Sequence, residues 1–214
     1  MRSNFDKQLE TLQNRLARMA TYIEAALDCA VTALITQDLS KAEKAVEYET
    51  DIDRMERETE DLCLRILLLQ RPVAKDLRTV SAALKMITDM ERIGDQARDI
   101  GEILLQAPYA IRITADSDIS RMATATIKMV HDVVEAFIRN DMAMAEKVIS
   151  YDDVIDEFYA RTKEDLIAEI RAGAMDVNAQ VDLLSIAKYF ERIGDHATNI
   201  AEWVIFSITG RHKI

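Results

Sequence analysis

The chain has 214 residues, 49% of them hydrophobic, with only 5 Gly and 2 Pro and a formal charge of −11. Most turns of β proteins draw on Gly and Pro, so their scarcity excludes a strand-rich fold and points to long helices with few turns. The apolar content excludes disorder, and an acidic balance without a basic patch excludes nucleic-acid binding while suiting cations, basic partner surfaces or plain solubility.

The first periodic stretch runs from about Asn4 to Thr36. Leu9, Leu12, Leu16, Met19, Ile23, Ala26, Ala30 and Ala33 recur at three-four spacing, the mark of one buried helical face. A turn follows near Gln37-Asp38-Leu39-Ser40, with Asp38 placed to cap a second helix that runs to about Gln70. Its seam is Ile52, Met55, Thr59, Leu62, Ile66 and Leu69, and Arg71-Pro72 ends it, because the residue before a proline is pushed out of helical geometry. The third helix is expected from about Val73 to Gln106. Met86, Met90, Ile93, Ala97, Ile100 and Leu104 form one stripe, with Leu77, Val80, Leu84 and Ile87 beside it. Ala107-Pro108 closes it, and residues 107–114 read as the connection between a first domain at 1–108 and a second at 109–214.

The pattern then restarts. Arg18-Met19-Ala20-Thr21 returns as Arg121-Met122-Ala123-Thr124, Ala42-Glu43-Lys44 as Ala145-Glu146-Lys147, and Ile52-Asp53 as Ile155-Asp156, all at an offset of 103. Glu91-Arg92-Ile93-Gly94-Asp95 returns unchanged as Glu191-Arg192-Ile193-Gly194-Asp195 at an offset of 100, the shorter break at Arg171-Ala172-Gly173-Ala174 accounting for the difference. One offset shared by separated blocks marks an internal duplication. The expected fold is all-α: two pseudo-symmetric antiparallel three-helix bundles, with helices about 40–50 Å long at ~1.5 Å per residue.

Residues i and i+4 share a helical face, so Glu91 points with Asp95, and Glu191 with Asp195. Like charges so placed repel by a few tenths of a kcal/mol, and a mid-helix glycine costs roughly 1 kcal/mol against alanine. The chain accepts both penalties twice, at one spot. A glycine there lets another backbone or a bulky group approach closely. The second helix carries Glu49 and Asp53, which the offset sends to Asp152 and Asp156. If consecutive helices turn these faces together, four carboxylates converge in each half, an oxygen-rich set suited to hard cations, iron or manganese. Single acidic pairs of this kind also arise by chance on solvated faces, and Glu49/Asp53 lies near a helix start, where the dipole favours acids. The register kept by the duplication is what favours a site.

These blocks resemble the PhoU family of phosphate-signalling regulators over essentially the whole chain. The family motif, an acid followed four residues later by Asp in each half, is read here at 91–95 and 191–195. The run from Glu191 to Glu202 is similar to the family's C-terminal signature, and Pro72-Val73-Ala74-Lys75-Asp76-Leu77-Arg78 to its link into the third helix. The resemblance implies multinuclear metal clusters of iron, zinc, manganese or magnesium, with Glu91, Asp95, Glu191 and Asp195 as ligands and Glu49, Asp53, Asp152 and Asp156 matching the second-helix motif. It implies a cytoplasmic homodimer that is an adaptor between the ATPase of the phosphate ABC transporter and a membrane sensor histidine kinase. That adaptor holds phosphate-starvation genes off when phosphate is plentiful and meets the membrane through its partners only. Asp99 continues the first acidic face, but its counterpart is Asn199.

His196, whose counterpart is Gln96, stands one helical step of about 100° from Asp195 and is expected beside the site or at the surface. Arg92 and Arg192 are expected to pair with nearby acids, the Met residues to fill the core, and Tyr151, Tyr159, Tyr189, Phe190 and Trp203 to make core or inter-helix contacts. His131 and His212 are isolated. Cys29 and Cys63, on apolar stretches, are expected to be buried thiols. No signal peptide or uncharged run of membrane-spanning length is read, so a soluble cytoplasmic protein is expected. Two alternatives compete with the regulator: a carboxylate-bridged di-metal enzyme, which needs Glu-x-x-His pairs that are absent here, and a metal-free helical scaffold.

Overall fold

A computed structural model describes residues 2–107, 111, 113–114, 116–173 and 176–211, with side chains from Phe5 onward. It contains six α-helices in order: α1 (Arg2–Thr36), α2 (Leu39–Gln70), α3 (Lys75–Gln106), α4 (Asp118–Arg139), α5 (Met142–Ala172) and α6 (Val177–Thr209). No strand occurs among the described residues. The expected boundary at 108/109 lies outside them, as do parts of the 107–114 connection, Ala174 and His212.

Of the five helices whose start follows a described residue, four begin at a side-chain cap. Asp38 accepts from the Ser40 N–H and Asp141, its repeat counterpart, from the Met144 N–H; Ser117 and Asp176 do the same for α4 and α6. Such caps satisfy amide donors that the first turn leaves orphaned. The exception is α3, which begins at Lys75 rather than Val73, after Ala74 at φ 47° with no side-chain cap. Arg71 ends α2 as expected, though in the left-handed region at φ 48° rather than extended.

The packing is built from two three-helix bundles, α1–α3 and α4–α6. α2 packs on α1 and α3; α5 packs on α4 and α6; the halves meet through α3 against α6 and α1 against α4. α2 and α5 are the outer helices. The α3/α6 pair is antiparallel: the Arg78 side chain lies against Gly210 and Ser207, while Asp89 reaches His196 and Asn199. The core follows the three-four stripes, with Leu12, Leu16, Met19, Ile23, Ile52, Ile66, Met86, Met90, Ile93 and Phe190 fully buried. Each such side chain contributes roughly 1.5–3 kcal/mol.

The duplication also shows in an ion pair. Arg15 of α1 meets Glu58 of α2 at 3.9 Å, and the counterparts Asp118 of α4 and Arg161 of α5 meet at 2.8 Å with their charges reversed. The geometry of the helix pair is preserved while its polarity is not.

Two expectations need correction. Leu69 and Leu77, placed on buried seams, are exposed together with Leu64, Leu68 and Val73. Leu69 stands in the last turn of α2 and Leu77 in the first turn of α3, both beside the α2/α3 turn at the end of the bundle. Met142 is also exposed rather than packed in the core, while Tyr151, partly exposed, lines a groove with Thr124 and Lys128 of α4. The expectation of no uncharged run of spanning length stands: Phe5–Thr36 is long and apolar enough to cross a membrane by length and composition, but its apolar part, residues 21–36, carries Glu24 and Asp28. Its apolar face is packed into the bundle core.

Candidate metal centre

In both halves the acidic pairs of consecutive helices do face one another, but they are neutralised differently. The second half holds Asp152 and Asp156 on α5 and Glu191 and Asp195 on α6. Asp152 is pushed up to about 6, first by burial and then by the negative charges of Asp156, Asp195, Glu191 and Asp153. Four carboxylates are therefore within electrostatic reach of it, from both helices. Its Oδ1 is buried without a hydrogen-bond partner, as are Glu191 Oε2 and the Thr198 hydroxyl. Buried acceptors of this kind are costly unless something donates to them or binds them. The Lys188 ammonium bonds the other oxygen of Glu191 and also lies over the Tyr159 ring at 5.3 Å.

Gly194 explains how Asp152 comes so close to α6. A β-carbon at Gly194 would stand 2.9 Å from Asp152 Oδ1 and 3.4 Å from Ile155 Cγ2. At Gly94 the same position is filled by Ile52, whose Cδ1 would be 2.9 Å away. Both glycines are close-approach positions, one under a carboxylate and the other under an isoleucine.

The first half brings Glu49 of α2 and Asp95 of α3 together around a residue that the motif does not include. Arg98 Nη1 donates to Glu49 Oε1 at 3.1 Å and to Asp95 Oδ1 at 2.9 Å, while Nη2 and Nε donate to Asp99 Oδ1 at 2.8 and 3.2 Å. Burial works against the Arg98 charge, yet the bond to Asp99 and the charges of Asp95, Asp99 and Glu49 hold it more firmly protonated than usual. Arg92 donates to Asp95 Oδ2 at 3.2 Å and sits 3.5 Å from Glu91, as expected for a local pair. Asp53 is bound by Arg57 at 2.7 Å. Glu91 is raised by burial, then by Asp95, against the pull of Arg92, with Glu56 and Asp53 adding to the rise. Glu56 is raised by burial and by Glu60 and Asp53.

Among the described residues, no group of three or more His, Cys, Asp or Glu side chains already stands in ion-holding geometry. What the second half offers is donor chemistry: four hard oxygen-bearing side chains, two with an orphaned buried oxygen. Asp152, Asp156, Glu191 and Asp195 fit a hard cation on that ground. The first-half set of Glu49, Asp53, Glu91 and Asp95 fits less well, since three of the four are bonded to arginines.

His196 does not turn toward the carboxylates. Its Nδ1 meets Asp89 Oδ1 at 2.9 Å across the seam between the halves, and Asn199 donates to the same oxygen at 3.3 Å. The pseudo-symmetric positions are Gln96, buried with its Oε1 unpartnered, and Tyr189, whose hydroxyl is raised by burial and by Asp99. Sequence reasoning missed Arg98, Glu56 and Thr198. The signal for the first and last was present: position 98 and its counterpart 198 differ three residues beyond an otherwise identical pentapeptide.

The PhoU domain profile matches this chain twice, at residues 16–104 and 119–204. The phosphate-specific transport system accessory protein PhoU homolog of Clostridium acetobutylicum is 32% identical over 211 residues, covering 98% of this chain and 96% of that protein. Homolog 1 of Thermotoga maritima is 31% identical over 210 residues, covering 98% and 90%. The crystal structure of PhoU from Pseudomonas aeruginosa superposes with a TM-score of 0.89 at 30% identity, over 97% of this chain and all of that one. The phosphate transport system regulatory protein PhoU of Streptococcus pneumoniae, at 24% identity and a TM-score of 0.90, shares the fold.

Proposed function

The chain belongs to the PhoU family, and from that membership we propose that it is a non-enzymatic regulator of phosphate transport. The observation that carries this reading is coverage: the domain matches once in each half, and proteins named as accessories of phosphate-specific transport align nearly end to end. The proposal extends to an adaptor role. The chain, as a cytoplasmic homodimer, links the ATPase subunit of the phosphate ABC transporter to a membrane sensor histidine kinase and keeps starvation genes off when phosphate is plentiful.

The proposal also includes a metal ion held by Asp152, Asp156, Glu191 and Asp195, supported by the orphaned oxygens of Asp152 and Glu191. A bound cation supplies positive charge that these side chains lack. Asp152 and Asp156 would hold the ion from α5 and Glu191 and Asp195 from α6, so a bound cation would tie the two helices together. Gly194 admits the Asp152 carboxylate to the α6 backbone, and Lys188 fixes Glu191 by its outer oxygen. His196 stands outside this set, meeting Asp89 across the seam through Nδ1.

Two measurements test these statements. Purified chain should capture the ATPase of the phosphate ABC transporter and the membrane sensor histidine kinase; capture of neither removes the adaptor reading. Elemental analysis of protein prepared without chelator should find a stoichiometric transition metal or magnesium. Metal-free protein that still captures both partners would instead be a helical scaffold.

A further inference from the structure

We propose that Arg98 takes the place of a metal ion in the first half, so that the two halves of the duplication are one cation-binding site and one site closed by a side chain. The inference rests on the metal reading of the second half only for its comparison; the closure itself is read from the first half.

The geometry is specific. Arg98 spans the groove between the outer and central helices, bonding Glu49 on α2 and Asp95 on α3 through one nitrogen. Its other two donors are anchored on Asp99, one residue along the same helix. A guanidinium is always charged and donates in a fixed planar fork, so it satisfies carboxylates from two helices at once. A divalent ion bridging Glu49 Oε1 and Asp95 Oδ1 would compete with the guanidinium for both oxygens.

Three parts of this device are changed in the second half, while Asp195 keeps the place of Asp95. Thr198 stands for Arg98, and its hydroxyl is buried without a partner. Asn199 stands for the anchoring Asp99 and turns instead to Asp89 across the seam. Asp152 stands for Glu49, one methylene shorter, with Oδ1 left unpartnered. Removal of the arginine, loss of its anchor and orphaning of the carboxylate occur together at matched positions. An ordinary surface ion pair would not predict that coincidence, because exposed pairs come and go independently of their surroundings.

The test is exchange between the halves, read as Mn2+ bound per folded chain by elemental analysis after desalting, with helicity and melting temperature as fold controls. Wild type should hold its Mn2+ in the second half alone, and Arg98→Thr should add one ion per chain. Thr198→Arg should remove the second-half ion and abolish the Mn2+-dependent rise in melting temperature; it serves also if Arg98→Thr folds poorly. An unchanged count in folded Arg98→Thr overturns the proposal, as does Thr198→Arg that keeps its ion. Two ions lost together on Glu91→Gln and Glu191→Gln in wild type would overturn it while leaving metal binding intact. Ion uptake by Arg98→Thr but none by wild type would support the closure and dismiss the second-half site.

Discussion

Asp152 rests on Gly194 so closely that a β-carbon there would meet its Oδ1 at 2.9 Å. Gly194→Ala therefore sets two effects against each other. Alanine gains up to ~1 kcal/mol in a helix interior. It also displaces the Asp152 carboxylate, the flexible end of a side chain, rather than backbone. The metal-free variant should melt at or slightly above wild type while its Mn2+ affinity falls at least tenfold by calorimetry. Equal affinity would mean that Asp152 is no ligand.

Gly101 should behave in the opposite way. A β-carbon there would lie 2.9 Å from the Ala42 carbonyl oxygen and 3.1 Å from Val46 Cγ2. Backbone cannot swing aside, so α2 and α3 must separate. Overpacking costs about 1–3 kcal/mol, more than the helical gain. Gly101→Ala should lower the melting temperature by roughly 2–8 °C. The corresponding α6 residue is Ala201, so the α5/α6 pair already accommodates that methyl group.

Asp152 also predicts a pH dependence. Its folded value of about 6 lies above the ordinary 3.8, so the folded protein binds this proton more tightly than the unfolded chain. Stability from this group is therefore present at low pH and lost as pH rises from about 4 through 6. In chelator, Asp152→Asn should melt higher than wild type at about pH 7.5, by an amount on the order of 1 kcal/mol once solvent screening is allowed for. The difference should vanish near pH 4. Adding Mn2+ at neutral pH should reverse the order, raising wild type and leaving the variant unmoved.

Cys63 is fully buried, and its thiol is pushed up to about 12, first by burial and then by the Glu60 charge. The thiolate is the reactive form. In a Cys29→Ser background, a disulfide reagent at about pH 8 should label Cys63 only at the rate of unfolding. Rapid labelling of the native protein would contradict the packing of α2 against α1.

Much of this architecture could be read before any coordinates. The three-four stripes located the helices because burial on one face leaves a period in the sequence. The offsets of 103 and 100 located the acidic pairs because duplication copies register. Arg98 escaped notice for a physical reason. An arginine three residues after Asp95 reads as a local pair on a solvated helix face. Only the position of α2 shows that the same nitrogen also reaches Glu49. Leu69 and Leu77 were misplaced for a related reason: periodicity reports which face is apolar, not where along the helix the core ends.

The reversed ion pairs Arg15–Glu58 and Asp118–Arg161 carry a last consequence. In a homodimer of identical three-helix subunits, each substitution appears on both sides of the axis, so a charge swap at one interface is a charge swap at both. Joined in one chain, the two copies are inherited as separate texts. A pair can invert on one side, an arginine can close one groove, and a threonine can leave the other open, without either change being forced on its twin.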